Sequence, residues 1–459
     1  MKNKALLISM FAATSLAMYG SNKSAPNLVL FIADDCSHYD LGCYGSADSK
    51  TPNIDNFAKE SMKFTKAYQA VPMSSPTRHN LYTGIWPVKS GAYPNHTCAD
   101  EGTKSIVHHL HPLGYKVALI GKSHIAPKSV FPFDVYVPQD NKGELKFDAI
   151  RKFISNCEAE GTPYCLLVAS NQPHTPWNKG DVSQFDANKL KLPPMYVDIP
   201  ETREAFTRYL AEINFMDNEF GTLLSILKEK KQEEKSVVVY LSEQGNSLPF
   251  AKWTCYDAGV HSACLVRWPG KVRPNTVSDA LVEYVDIVPT FIDIAGGKPV
   301  ASVDGKSFKN VLLGKTGKHK KYTFSMQTTR GIIKGSKYYG IRSVSDGRFR
   351  YIVNLTPEAV FQNTEVFTPL FKLWQGKGKT DKHAKEMTYK YQHRPAIELY
   401  DVYNDPYCMN NLAENKEYSE KIQELDKELK KWMSYCGDKG QETEMEALEH
   451  LASKKNKKK

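Results

Sequence analysis

The chain has 459 residues, 41% of them hydrophobic, enough for a large core and too many for disorder of the whole. Its formal charge of +10 is concentrated at the ends: Lys2, Lys4 and the five lysines of the closing KKNKKK leave only +3 for residues 21–453. A body so nearly balanced, with no basic stripe interleaved with aromatics, excludes nucleic acid as the expected partner.

Residues 1–20, MKNKALLISMFAATSLAMYG, join two lysines to an apolar stretch and small residues, the layout of a secretory signal peptide. The stretch is too short to span a bilayer comfortably, and no later segment reads as transmembrane. The expectation is a periplasmic, secreted or surface protein with no integral membrane span.

NLVLFIADD is the first of four apolar runs that read as buried strands; YKVALIGKSH, YCLLVASNQPH and SVVVYLSEQG follow, the last preceded by a long helical stretch from Thr202. The alternation predicts an α/β fold, a large mixed and mostly parallel sheet flanked by helices, over residues 21–325. From 326 to 437 β-branched and aromatic residues, broken by the turn signal DGR and followed by a helical run over 415–436, predict a smaller C-terminal α+β domain containing an antiparallel sheet. Residues 438–459 read as a basic, disordered tail. The nine cysteines show neither a CxxC nor a zinc spacing; one or two disulfides, for example involving Cys408 and Cys436, suit an exported chain.

Each of the four strands ends in polar groups: Asp34 and Asp35, Lys122 and His124, His174, and Glu243 with Gln244. In open α/β sheets ligands bind beyond the carboxyl ends of the strands, so one site assembled from distant segments is expected there. Its acids supply hard oxygen donors suited to Ca²⁺, with Mg²⁺ admitted by the same donors. Lys122, His124, His174 and Arg78 add the positive charge and proton donors that a tetrahedral anion requires. His79, His108, His109 and His111 read as structural, with His79 a substrate candidate because it follows Arg78.

PMSSPTRHNLYTG, residues 72–84, places serines at the start of a helix entered through Pro76, where free N–H groups favour an anion. On local grounds alone the N-cap is the favoured reading of a serine at that helix start. The complete pattern Ser74-Ser75-Pro76-Thr77-Arg78, followed by Thr83-Gly84, resembles the C/S-x-P-x-R…TG signature of the formylglycine-dependent type I sulfatases of the alkaline phosphatase superfamily. PNLVLFIADD, TPNIDNFAKES, GKSH and ELYDVYNDPYCMNNLAEN resemble further family motifs in the same order, and GKSHIAPKSVFPFD is locally similar to N-sulfoglucosamine sulfohydrolase, the heparan N-sulfatase.

The resemblance implies oxidation of Ser74 to formylglycine by an anaerobic serine-type maturase, and a calcium site of Asp34, Asp35, modified Ser74, Glu243 and Gln244. It departs from the family in that Glu243-Gln244 stands where Asp-Asn or Asp-His is usual. Lys252 looks like the second sulfate-binding lysine, and His261 replaces a common arginine. A hydroxyl of the hydrated aldehyde then attacks sulfur while Lys122, Lys252 and the metal hold the sulfate oxygens; His174 or Lys252 protonates the leaving alcohol, and His124 is the base that lets the sulfated hemiacetal expel sulfate. The implied substrate is a sulfated oligosaccharide or glycosaminoglycan-type glycan, cleaved as sulfate ester or N-sulfate in bacterial glycan degradation. Trp177, Phe131, Phe133, Tyr136, segment 178–200, His261, Arg330 and Arg342 are candidates for contacting it. Two rivals stay open: a metal-dependent phosphatase or phosphodiesterase with unmodified Ser74, and a non-catalytic glycan-binding protein in which Ser74 is never oxidised.

Overall fold

The computed structural model describes residues 25–452. The expected signal peptide and the last lysines lie outside the described residues. Among the described residues a nine-stranded sheet is built from β1 (Asn27–Asp34), β2 (Met62–Tyr68), β3 (Lys116–Gly121), β4 (Val135–Val137), β5 (Tyr164–Ala169), β6 (Ser236–Glu243), β7 (His261–Arg267), β8 (Thr276–Ser278) and β9 (Val282–Glu283). The order is β4-β3-β5-β1-β6-β7-β2-β8, with β9 also on β2. The first five of that order run parallel, and β7 is antiparallel to both its neighbours.

The central strands are apolar along their length because both faces are covered. On β1, Val29, Phe31 and Ala33 join one core while Leu28, Leu30 and Ile32 join the other. The period of two thus divides one apolar run between two cores. Helix Pro200–Glu229 lays Phe206, Leu210, Ile213 and Phe220 on the first face, and helix Ile287–Ile294 lays Ile287, Val288 and Phe291 on the second.

The second sheet is antiparallel, with β10 (Thr323–Thr328), β11 (Gly340–Ser345), β12 (Phe349–Asn354) and β13 (Ile397–Asp401) in chain order. The expected boundary at 325 falls inside β10. DGR closes the β11–β12 hairpin, with Gly347 at φ 88°. Helix Ser419–Cys436 packs on this sheet, and its Trp432 stacks on Phe324 with centroids 5.2 Å apart and meets the edge of Trp86 at 5.4 Å. Two helices between β12 and β13, Pro369–Lys377 and Lys382–Gln392, are not anticipated by the sequence reading.

Two expectations are corrected. Residues 438–452 are not a disordered tail: helix Gln441–Glu446 forms, Asp438 and Glu444 are buried, and both pair with Arg342 of β11. A buried guanidinium needs countercharge, and these two carboxylates supply it. The arginine is therefore spent on the tail and does not contact substrate. No disulfide joins Cys408 to Cys436 or any other two of the nine cysteines, eight of which are buried. No helix of the described residues is long and apolar enough to cross a membrane.

Candidate active site

Asp34 and Glu243 are register partners at the ends of β1 and β6. Each is followed by a residue in the left-handed region, Asp35 at φ 60° and Gln244 at φ 36°. The two strands leave the sheet by the same turn, a conformation that costs a non-glycine residue about 1 kcal/mol. The turn brings the Gln244 amide to Asp35, Nε2 donating to Oδ1 at 2.6 Å and to Ser74 Oγ at 3.0 Å. Gly245 follows because a Cβ there would stand 2.2 Å from the Ala258 carbonyl oxygen.

Ser74 opens the fully buried helix Ser74–Thr83. Pro76 lies in the first turn, where its missing N–H costs no helical bond. The extended Met73, not a serine, holds the N-cap position, and no side chain caps the helix. Ser74 Oγ is instead 3.1 Å from Asp34 Oδ1, which answers the capping alternative. One turn on, Arg78 projects the same way: it donates to Glu243 Oε2 and, at 3.0 Å, to the Lys122 carbonyl, with Asp34 at 3.8 Å. Ser75 faces away, its Oγ accepting from Thr97 N at 3.3 Å.

The cations surround this core. Lys122 pairs with Asp34, and Lys252 Nζ lies 2.7 Å from Asp35 Oδ2, which also accepts from Ser247. His174 Nε2 is 3.6 Å from Asp35, and its Nδ1 meets the Thr175 carbonyl at 2.6 Å. Burial works to raise the pKa of Asp34 and Asp35, but the surrounding lysines, with His174 and for Asp34 also Arg78, outweigh it and hold both carboxyls below the ordinary range. Burial pushes Glu243 up to about 8 against the pull of Arg78.

The donors fit a hard cation in kind. Glu243 Oε1 and Gln244 Oε1 are buried acceptors with no hydrogen-bond partner, beside two carboxylates and a hydroxyl and with no thiolate among them. Among the described residues no group of three or more His, Cys, Asp or Glu side chains is spaced as metal ligands. The aspartates are turned to Lys122 and Lys252 instead.

Several candidates are placed elsewhere. Nδ1 of buried His79 donates to the Ser75 carbonyl at 2.7 Å and its Nε2 accepts from Ala126 N at 3.1 Å, so the imidazole fastens the helix and does not face substrate. His261 bonds Asp257 and the Thr65 carbonyl, each at 2.8 Å, and stacks on His38; it too is structural. Phe131 is buried against His79. Trp177 is half-buried, donates to the Pro173 carbonyl at 2.8 Å and lines a cavity of ≈ 730 Å³ with Lys179, Arg203 and Arg208. Sequence reading misses Ser247, the Gln69 amide that accepts from Gln244 N, His96 beside His124, and Glu365, whose carboxyl burial pushes up to about 8 with the Lys252 and Asp35 charges acting on it. Gln69 directly follows β2, whose sequence MKFTKAY is not one of the apolar runs; the other three belong to no strand end, and none of the four carries a local motif.

The sequence model of the family described as Sulfatase matches residues 26–297, more than half of the chain. The chain belongs to the sulfatase family. Like other members, this sulfatase hydrolyses sulfuric esters. Its residues 245–361 match the model described as N-sulphoglucosamine sulphohydrolase, C-terminal. It is 31% identical over 423 residues to an ulvan-active sulfatase of Formosa agariphila, covering 90% of this chain and 81% of that protein. With human N-sulphoglucosamine sulphohydrolase it shares 25% identity over 91% of this chain and 92% of the other. A solved structure of a protein in complex with D-glucosamine-2-N,6-O-disulfate superimposes with a TM-score of 0.67 at 18% identity, covering 91% of this chain and 99% of that one, a likeness of fold.

Proposed function

We propose that this sulfatase releases sulfate from a sulfated glycan outside the cytoplasm, after export through its signal peptide and oxidation of Ser74 to formylglycine. The observation that carries the reading is the setting of Ser74: buried at the start of an uncapped helix, 3.1 Å from Asp34 and 3.0 Å from Gln244, with Arg78, Lys122, Lys252 and His174 gathered on Asp34 and Asp35. The oxidised and hydrated side chain supplies a nucleophile stronger than a serine hydroxyl. Asp34, Asp35, Glu243 and Gln244 would hold the divalent ion, Ca²⁺ by their hardness, which supplies charge to a bound sulfate.

The chain's own residues do the rest. Lys122 and Lys252 exchange their aspartate contacts for sulfate oxygens and neutralise the charge that moves there as the ester bond lengthens. Arg78 fixes Glu243 and the backbone of Lys122, which keeps the pocket's shape. His174, part-exposed at the rim, delivers a proton to the departing sugar hydroxyl, and His124 takes one from residue 74. The resemblance to the ulvan-active and N-sulphoglucosamine enzymes supports a sulfated polysaccharide, and the match over residues 245–361 favours an amino-sugar N-sulfate as the second reading.

The test is coexpression with an anaerobic serine-type maturase. Mass spectrometry of peptide AYQAVPMSSPTR is expected to show loss of two hydrogens at Ser74, and the matured protein to release sulfate from ulvan or heparan oligosaccharides. Unmodified serine beside an active maturase control refutes the reading.

A further inference from the structure

We propose that His96 is a positioning residue for His124, held in place by the carboxyl-terminal segment 448–452, and that it selects the tautomer in which His124 Nδ1 is the free base. The proposal rests on the role of His124 given above.

His124 Nε2 lies 3.0 Å from His96 Nδ1, with the rings tilted and their centroids 5.0 Å apart. Two imidazoles at this distance share one proton between facing nitrogens, so one ring donates and the other accepts. Burial, and then the Lys122 charge, disfavour the cationic form of each. The pair is therefore neutral with neutral. His124 Nδ1 is buried and has no hydrogen-bond partner, while Lys122, Arg78 and Asp34 all act on the ring. If His96 Nδ1 accepts from His124 Nε2–H, Nδ1 of His124 carries a lone pair, on the ring that the Lys122, Arg78 and Asp34 charges act on. The opposite choice would leave a bare Nε2 facing His96 and a proton on Nδ1, useless to a base.

The geometry of His96 is imposed, not local. It sits at φ 54°, a left-handed conformation with no glycine to ease it. Its carbonyl accepts from Ala452 N at 3.0 Å, Thr97 forms a bridge with Leu451, and Cys98 N donates to the His450 carbonyl at 3.0 Å. On the other side Gly331 lies so close that a Cβ there would stand 2.3 Å from the Asn95 carbonyl oxygen. Thr97 N reaches Ser75 Oγ, next to the nucleophile position. Segment 95–98 is thus clamped between the end of the chain, the loop after β10 and the helix that begins with Ser74.

The experiment is steady-state kinetics of matured enzyme on its best sulfated oligosaccharide, for wild type, His96→Ala and His96→Asn. An asparagine Oδ1 occupies the place of the histidine Nδ1 and accepts the same proton. Expected is a fall in kcat of about 10- to 100-fold for the alanine variant with KM changed less than about two-fold, and recovery to within a few-fold for asparagine. An unchanged kcat in His96→Ala, or an asparagine variant as impaired as alanine with an unaltered melting temperature, overturns the proposal. Should the alanine variant fail to fold, ¹⁵N shifts of His124 in the wild type decide: a protonated Nε2 and bare Nδ1 support the assignment, and a protonated Nδ1 refutes it. That spectrum needs no turnover, so it separates failure of the His96 role from failure of the sulfatase substrate reading.

Discussion

The Gln244 amide stands 3.0 Å from the Ser74 hydroxyl and 2.6 Å from the Asp35 carboxylate, tying the start of the Ser74 helix to the end of β1 through one side chain. Gln244→Leu keeps the volume and removes both bonds. We expect it to lower kcat/KM by about 100-fold, as small misplacements of reacting groups do, and stability by about 1–3 kcal/mol. Kinetics and urea unfolding read the two separately; unchanged turnover would remove Gln244 from the site.

Ser74→Ala deletes one hydroxyl that donates to Asp34 at 3.1 Å and accepts from the Gln244 amide at 3.0 Å. Sulfate release is expected to vanish, while the melting temperature stays within a few degrees of wild type because each of the two hydrogen bonds lost contributes only about 1 kcal/mol. Residual release above a buffer control would show that another residue attacks sulfur.

Calcium should stabilise the fold, since the unpartnered Glu243 and Gln244 oxygens gain a partner when an ion arrives. At a hundred times its dissociation constant, an ion bound only by the folded state adds about 2.7 kcal/mol. Differential scanning fluorimetry with Ca²⁺, Mg²⁺ and chelator checks this, and a Glu243→Ala, Gln244→Ala double variant should lose the response.

The stability that Glu219 contributes should fall as pH rises from about 4.5 to 7. Glu219, on helix Pro200–Glu229, accepts from Ser170 Oγ at 2.6 Å, and burial pushes its carboxyl up to about 7. A folded-state value above the unfolded 4.5 means the folded chain holds the proton more tightly. That contribution is complete below pH 4.5 and is lost through pH 7, by up to about 3 kcal/mol. Glu212, also near 7, acts in the same direction. Chemical denaturation across pH 4 to 8 should show wild type losing stability relative to Glu219→Gln as the pH rises from about 4.5 to 7; a difference that does not change with pH would place the carboxylate elsewhere.

Breaking the Arg342 network should unfasten the end of the chain. Both carboxylate partners, Asp438 and Glu444, are buried with it, so Arg342→Met leaves two buried acids without countercharge and should cost about 3–5 kcal/mol. Limited proteolysis near residue 440 reports the release.

The strand ends were legible because buried parallel strands are apolar along their length, and a polar residue closing such a run stands out. Asp34, Lys122, His174 and Glu243 announce themselves in this way. The roles of the histidines did not: His79, His96 and His261 differ only in which carbonyl or ring the fold brings to them. QETEME at 441–446 reads as solvated because its composition is polar; it is ordered because Arg342, a hundred residues earlier, is buried and needs acids. Glu365 enters from a connection between β12 and β13, and nothing in its neighbours marks a contact with Lys252.

Since no disulfide joins any of the nine cysteines and eight of them are buried, the described fold closes without oxidative chemistry. A radical maturase that tolerates no oxygen, and the strong reductants that keep it alive, can therefore share a vessel with this chain throughout folding. The same property makes it a convenient substrate for modification in a reduced extract, where a protein dependent on disulfides would stay unfolded.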